Sequence, residues 1–482
     1  MASEALKQHL DADTVSDAAR RALPWLVAVA FFMESLDTTI LNTAVPIVAK
    51  AIGTTPLNMK AVLASYTLSL AVFIPVSGWV ADRYGTRRVF ASAIGIFTLG
   101  SALCGLMSNV HLLVVCRVLQ GCGGAMMVPV GRLTLVRTFP KSQLLGAMNF
   151  VAIPAWIGPM VGPAAGGFIV AYLHWRAIFF LNIPIGIAGL WFVWKMLPDY
   201  RERTKALDII GFILFGAGLA LLSYVLEVFG EHRLSVPEIL GLLAVSLALL
   251  FGYGVHAERT RWPLLRLGLF RSRSFAVAVG GGFITRLGIG GVPFLLPLLY
   301  QVGLGFDPVQ SGLLIMPQAV AGLSTKIWIA ALLRRWGYRN VLIVNTLLMS
   351  VFLMLFATIG IGTPVWLIVL LAFCYGALTS TQYTSMNTLT FADVSPQRTS
   401  AASSLSSTSQ QLSISFGVAT AGLIAMAFVP EAARFQPHEM ILGLHHAFLA
   451  LGVFTLISTA VFYRLKPGDG ADETRQKDIH LG

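Results

Sequence analysis

Apolar runs of about 20 residues, parted by short polar connectors, recur along the whole chain. They fall near 24–48, 60–81, 89–107, 111–135, 144–171, 177–195, 208–228, 238–257, 275–302, 309–333, 340–359, 365–388, 401–428 and 446–463. A helix of about 20 apolar residues crosses the hydrocarbon core and satisfies its own backbone hydrogen bonds there. The pattern predicts an all-α polytopic membrane protein with 14 transmembrane helices. An even number places both termini on one side. Residues 1–23 are polar and charged, with no apolar run ending in a small-residue cleavage site, so the first span reads as an uncleaved start-transfer helix.

Two basic connectors, 198–207 and 258–274, bracket the seventh and eighth spans. Setting those two spans aside leaves six before and six after. The loop after the second span, Asp82-Arg83-Tyr84-Gly85-Thr86-Arg87, is weakly repeated after the tenth, Arg334-Arg335-Trp336-Gly337-Tyr338-Arg339. Two related six-helix halves with a site between them is a common transporter plan. The expected divisions are a cytoplasmic N-terminal segment at 1–23, a first half at 24–197, two extra helices with their connectors at 198–274, a second half at 275–464 and a cytoplasmic tail at 465–482.

Composition agrees with this pattern. Of the 482 residues, 56% are hydrophobic and 12% charged, about half the charged share of a soluble protein. The net charge of +12 could suggest a nucleic-acid partner, but its distribution argues otherwise. Of 34 Lys and Arg, 25 lie in segments on the N-terminal side and at most five on the other: Lys50, Lys60, Arg176, Arg233 and Arg434. Four fall inside spans: Arg117, Arg132, Arg286 and Lys326. That bias puts both termini in the cytoplasm of a cell (inner) membrane and serves anionic lipid, not nucleic acid. Cys104, Cys116, Cys122 and Cys374 lie in spans without metal-ligand spacing and read as small core residues. No phosphate-binding GxxxxGK[ST] loop, zinc pattern or nucleophile elbow occurs. ATP-driven transport and enzymatic chemistry are not expected. No cofactor is expected either, the proton gradient being the energy source.

Glu34 and Asp37 interrupt the first span and share a helical face. Acids at bilayer depth are costly and usually face a cavity or a partner. Two so close disfavour double ionisation. Asp37 reads either as the proton-coupling acid, with Glu34 assisting, or as the structural partner of Arg117. Arg117 near Asp37 would favour the ionised acid, and its departure would let the acid protonate. Arg132 and Lys326 are close enough to span ends to snorkel. Arg286 is not, and is the best candidate to meet an anionic or zwitterionic substrate, or an acid in the facing half. Asn42, Gln120, Gln301, Gln382, Asn387 and Gln410 are expected to line the cavity with it. Gly158, Gly162 and Gly166 form a stripe beside Pro159, Pro163 and Gly167, which predicts close helix packing.

Several stretches resemble the major facilitator superfamily. Gly78 to Arg88 (GWVADRYGTRR) is similar to its loop signature, Arg117-Val118-Leu119-Gln120-Gly121 to its fourth-helix signature, and Gly158 to Gly167 (GPMVGPAAGG) to the fifth-helix signature of its antiporters. Leu36 to Pro46 (LDTTILNTAVP) resembles the first helix of the fourteen-helix EmrB/QacA-type drug:proton antiporters. Gly124 to Thr134 and Ser385 to Thr390 resemble the MdtD-like branch. The resemblance implies a proton-coupled exporter of small organic molecules, multidrug in type, working by alternating access. It implies a gating role for Gly78, Asp82, Arg83, Gly85, Arg87 and Arg88, and a cavity-sealing role for the glycine-proline helix. An exporter of a specific anionic or zwitterionic metabolite or metal chelate is the alternative, favoured by the basic interior. A transport-dead receptor is disfavoured because the loops are short. Expected partners are a small-molecule substrate, protons and membrane lipids around a monomer, with an adaptor protein conceivable.

Overall fold

The computed structural model describes residues 17–202, 204, 206–229, 234–429, 437–466 and 468–470. The expected terminal segments therefore lie largely outside the described residues. The membrane helices are α1 (Asp17–Ala51), α2 (Lys60–Tyr84), α3 (Thr86–Leu106), α4 (Val110–Thr138), α5 (Lys141–Tyr172), α6 (Asn182–Met196), α7 (Ile209–Val228), α8 (Val236–Arg259), α9 (Arg273–Ile289), α10 (Pro308–Ser324), α11 (Ile329–Leu355), α12 (Val365–Ala392), α13 (Thr399–Phe428) and α14 (Pro437–Phe462). A short turn, Ala177–Phe180, leads into α6; after α9 the chain continues through Val292–Leu298 and a π turn, Leu299–Gly303. Among the described residues there is no strand.

Among the described residues, thirteen helical stretches are long and apolar enough to cross a membrane. The fourteenth, α10, has 17 residues and ends early. The Ser324 and Thr325 hydroxyls bond back to the carbonyls of Val320 and Gly322 at 3.0 and 2.8 Å, and the chain tightens into a 3₁₀ turn over Thr325–Ile327. Hydroxyl back-bonding of this kind competes with the regular helix. The expected span to 333 is thus cut short, and 329–336 forms a separate helical segment that Gly337, with non-helical φ and ψ, divides from the rest of α11. α14 starts earlier than its apolar run. His445 and His446, which lower the apolarity, are accommodated by bonds to the carbonyls of Ile359 and Leu442, both 2.8 Å.

The loop repeat is also conformational. Gly85 and Gly337 occupy matching positions and both have positive φ, 96° and 71°, a region open to glycine at little cost. α2 packs on α13 and α5 on α10 across the two halves. In a six-plus-six repeat α2 corresponds to α10 and α5 to α13, so the two seams are counterparts. On the side remote from the termini, Ile40, Val45 and Leu57 share one apolar core with Phe294, Leu295 and Met426. Gln301 Nε2 donates to the Thr43 carbonyl at 2.8 Å, and Ser415 Oγ to the Ala64 carbonyl at 2.9 Å. Lys60, expected as an outer-loop cation, is 1% exposed, its stem against Gly422 and its Nζ 3.3 Å from Met426 Sδ. On the terminal side the cores divide. Val27, Phe31, Phe90 and Val130 belong to one half, and Val277, Leu333, Val341 and Phe462 to the other. The interface is closed at one end and parted at the other.

The extra hairpin, α7–α8, lies over the α2–α13 seam. Leu68 and Ala71 of α2, Phe215 and Leu219 of α7, and Leu405 and Phe416 of α13 form one cluster. Its polar anchor was not visible in the apolar pattern. Asp208 caps α7 through the Gly211 N–H at 2.8 Å, accepts the Leu264 N–H at 3.1 Å and lies 2.7 Å from His256 Nε2.

Candidate coupling and substrate site

Asp37 lies deep in α1 and Arg117 in α4; each is 1% exposed, so neither can be hydrated in this arrangement. They form an ion pair at 2.6 Å. Gln120 Nε2 and Asn182 Nδ2 donate to the other Asp37 oxygen at 2.8 and 3.0 Å. Arg117 also donates to Gln120 Oε1 at 2.8 Å and stacks 4.2 Å from the Tyr66 ring centroid. Asn182 reaches Ser101 Oγ at 3.0 Å, and Ser101 donates to the Phe179 carbonyl. A charge pair out of water persists only when its remaining hydrogen-bonding capacity is met. Here α4 and α6 supply the donors to Asp37, while Arg117 Nε has no hydrogen-bond partner among the described residues. Periodicity does not single out Asn182, Tyr66 or Ser101. A lone Asn beginning an apolar helix was the one signal available for the first of them.

Glu34 sits one turn nearer the terminal side. It is half-buried and feels the charges of Asp37 and Arg132. Arg132 is exposed, with its guanidinium 5.7 Å from the Phe31 ring, still at the level of the α1 acids. The two carboxylates on one face therefore have different surroundings: Asp37 is enclosed and paired, Glu34 open on one side.

Within the spans of the second half, Arg286 and Lys326 have no acidic partner among the described residues. Arg286 is 4% exposed and lies 4.9 Å from the Tyr383 ring. Among the described residues no carboxylate is within 4 Å of it, so the expected acid in the facing half is not there. Lys326 is exposed. The break after α10 turns it toward Thr384 Oγ1 on α12, with Trp156 of α5 at 5.8 Å. Its position bridges the two halves.

Three expected cavity residues are placed elsewhere. Gln120 is fully buried in the Asp37 cluster. Gln382, also fully buried, accepts from Asn345 and donates to Thr346, both at 2.8 Å, tying α12 to α11. Gln301 bonds Thr43 and Ser311 within the closed end. Apart from Arg117 beside Gln120, the neighbours that take them up lie on other elements, which a helical period does not reveal. Asn42 is half-buried, and Gln410 donates to exposed Asn387 at 3.1 Å, joining α13 to α12.

At the loop after α2, Asp82 pairs with Arg137 at the end of α4, at 2.7 Å, and Arg137 also pairs with Glu202 at 2.6 Å. The 198–202 connector runs along this loop: the Thr86 N–H donates to the Tyr200 carbonyl, the Arg87 N–H to Asp199 and Arg87 Nε to the Leu197 carbonyl. Arg83 and Arg88 are exposed. Gly78 is exposed too, and a Cβ there would meet nothing within 4 Å. The glycine stripe lies on α1. A Cβ at Gly158 would fall 2.8 Å from Ser35 Oγ, one at Gly162 on Thr39 Oγ1 and one at Gly166 on the Ile40 carbonyl. Gly167 abuts the Pro308 carbonyl, and the Pro163 carbonyl abuts Gly312. With Pro159 alongside, α5 is a wedge between α1 and α10.

Known proteins resemble this chain along most of its length. The Major Facilitator Superfamily model matches residues 27–418 and 281–481. A putative multidrug resistance protein MdtD from Pectobacterium carotovorum is 40% identical over 447 residues, covering 92% of this chain and 95% of that protein. The protein of the same name from Escherichia coli strain 55989 is 40% identical over 445 residues, covering 92% and 94%. Among solved structures, a peptide transporter POT in complex with sulfate superposes with TM-score 0.65 at 14% identity, covering 92% of this chain and 96% of that one. A mutant of the nucleoside transporter NupG gives 0.64 at 13% identity, covering 92% and 100%. Those structures share the fold. Family model, relatives and helix arrangement agree: the chain is a multi-pass membrane transporter, not an enzyme, and belongs to the major facilitator superfamily.

Proposed function

We propose that this protein exports small organic molecules, multidrug in type, from the cytoplasm in exchange for protons. Both termini are cytoplasmic in this reading, as the bias of Lys and Arg suggests. The relatives are named for multidrug resistance. An interface closed at one end and parted at the other suits a carrier whose halves rock around a central site. The observation that carries coupling is the buried Asp37–Arg117 pair. Joined as here, or parted with a proton in place of the guanidinium on Asp37, the pair would be a two-state element. Glu34, open on one side, is placed to relay the proton.

The test is flux of a fluorescent drug into proteoliposomes under an imposed pH gradient. Asp37→Asn should abolish gradient-driven flux while some drug binding survives, and Glu34→Gln should slow it. Full gradient-driven flux in Asp37→Asn would overturn the assignment.

One observation favours a narrower substrate. Among the described residues, Arg286 is nearly enclosed with Tyr383 beside it and no carboxylate, and a buried guanidinium is stabilised by an anion, water or substrate. An anionic or zwitterionic substrate would supply that group. Arg286→Ala should then weaken apparent affinity for a carboxylated compound by about tenfold or more, and for a lipophilic cation much less. Equal losses would return the reading to unselective drug export.

A further inference from the structure

A groove of about 580 Å³ runs between α1 and α6, away from the interface between the halves. Ala22, Trp25 and Val29 line one side, and Ala188, Phe192 and Met196 the other. Trp25 is 63% exposed and Phe192 42%, so the groove faces the surroundings. It starts at the terminal-side ends of both helices. At 1.5 Å per residue it reaches about 10 Å along α1 to Val29 and about 18 Å along α6 to Pro184. That is close to the depth of one leaflet, about 15 Å.

Its mouth is basic. Arg21 adjoins Ala22, and Lys195 adjoins Met196. Both are exposed, and neither makes an ion pair among the described residues. Lys195 lies 4.7 Å over the Trp191 ring, an aromatic at the same boundary. Below the mouth every lining residue is apolar, so the groove offers no partner to a peptide backbone.

We infer that this groove is a site for an anionic phospholipid, with an acyl chain along α1 and α6 and the phosphate at Arg21 and Lys195. Each cation near the surface strengthens anionic-lipid binding by a factor of about five, so the pair accounts for roughly thirty-fold. The other conceivable occupants are the chain's own residues 1–16 and a helix of another protein.

The experiment uses the full-length protein in detergent, titrated with phosphatidylglycerol or phosphatidylcholine, read by native mass spectrometry and by the thermal midpoint. Phosphatidylglycerol should fill one tight site and raise the midpoint more than phosphatidylcholine does. Arg21→Gln with Lys195→Gln should weaken phosphatidylglycerol roughly thirty-fold and leave phosphatidylcholine unchanged. Ala188→Trp, which fills the groove from a lipid-facing position, should remove the tight site without lowering the lipid-free midpoint. Equal uptake of the two lipids, or unaltered phosphatidylglycerol binding in the double variant, would overturn the inference. So would a tight lipid site that emerges only after residues 1–16 are deleted, since the chain itself would then be the occupant.

Discussion

At the scale of single residues, the paired charges make a prediction about stability that separates from transport. Asp37→Asn leaves Arg117 buried without its counter-charge. Breaking a buried pair costs about 3–5 kcal/mol. Arg117→Gln alone should cost a similar amount, because Asp37 would then be the uncompensated ion. The double variant removes both charges and should recover most of the loss while remaining unable to couple. Thermal unfolding of the three variants checks this; additive losses in the double variant would mean that the two residues do not act as a pair. The sequence carries this site only in part. An acid in the first span and a base in the fourth suggest a pair, and the spacing of Arg117 and Gln120 puts both on one face. Nothing local distinguishes Gln120 and Gln382, which are consumed by buried networks, from Asn387 and Gln410, which are not. A helical period identifies a face, but it does not identify the helix opposite.

At the scale of helices, the close approach of α5 to α1 depends on Gly162. A Cβ there would fall on Thr39 Oγ1, with the Ile40 backbone nitrogen at 3.3 Å. Gly162→Leu must part the two backbones or bend both. The expected cost is about 1–3 kcal/mol, with membrane insertion retained and transport lost; an unchanged flux rate would remove this contact from the transport cycle. The hairpin carries a second prediction. Burial pushes the Asp208 carboxyl up, but His256 and the N–H groups of Gly211 and Leu264 outweigh it and hold the carboxyl below its usual range. A carboxylate lowered by folding stabilises above its ordinary value and loses that contribution as pH falls through the lowered one. Amide protection at the start of α7 should therefore fall below about pH 4, and Asp208→Ala should reduce it at neutral pH by the equivalent of about 1 kcal/mol. Hydrogen exchange over 209–216 reads both; protection independent of pH would show that the cap is not in use. Apolar runs make both helices of the hairpin easy to find. Its anchor was missed because Asp208 and His256 sit at opposite ends of two spans, 48 residues apart.

At the scale of the whole molecule, the number and order of helices follow from lengths of apolar sequence, since the bilayer fixes what a span must be. The exception is the end of α10. Hydroxyl back-bonding ends the helix there, and hydropathy is blind to it. The two seams between the halves are counterparts, but they are not equally covered. α7 and α8 lie over α2 and α13, while among the described residues no comparable element lies over α5 and α10. Rocking would therefore drag the hairpin along one seam and leave the other free to open toward lipid.

The closed end has a chemical consequence that can be read without any substrate. Lys60 is sealed there with its stem on Gly422. An amine that water cannot reach is also out of reach of an acylating reagent, and so it can report when the seal parts. A membrane-impermeant N-hydroxysuccinimide ester, added to whole cells, should acylate Lys60 slowly in a resting population. Conditions that drive the cycle toward its other state should make the reaction faster, with Lys50 on the same side as the exposed reference. Mass spectrometry of the peptide around residue 60 gives the ratio. If Lys60 and Lys50 react at the same rate under every condition, the remote end is never shut in the cell.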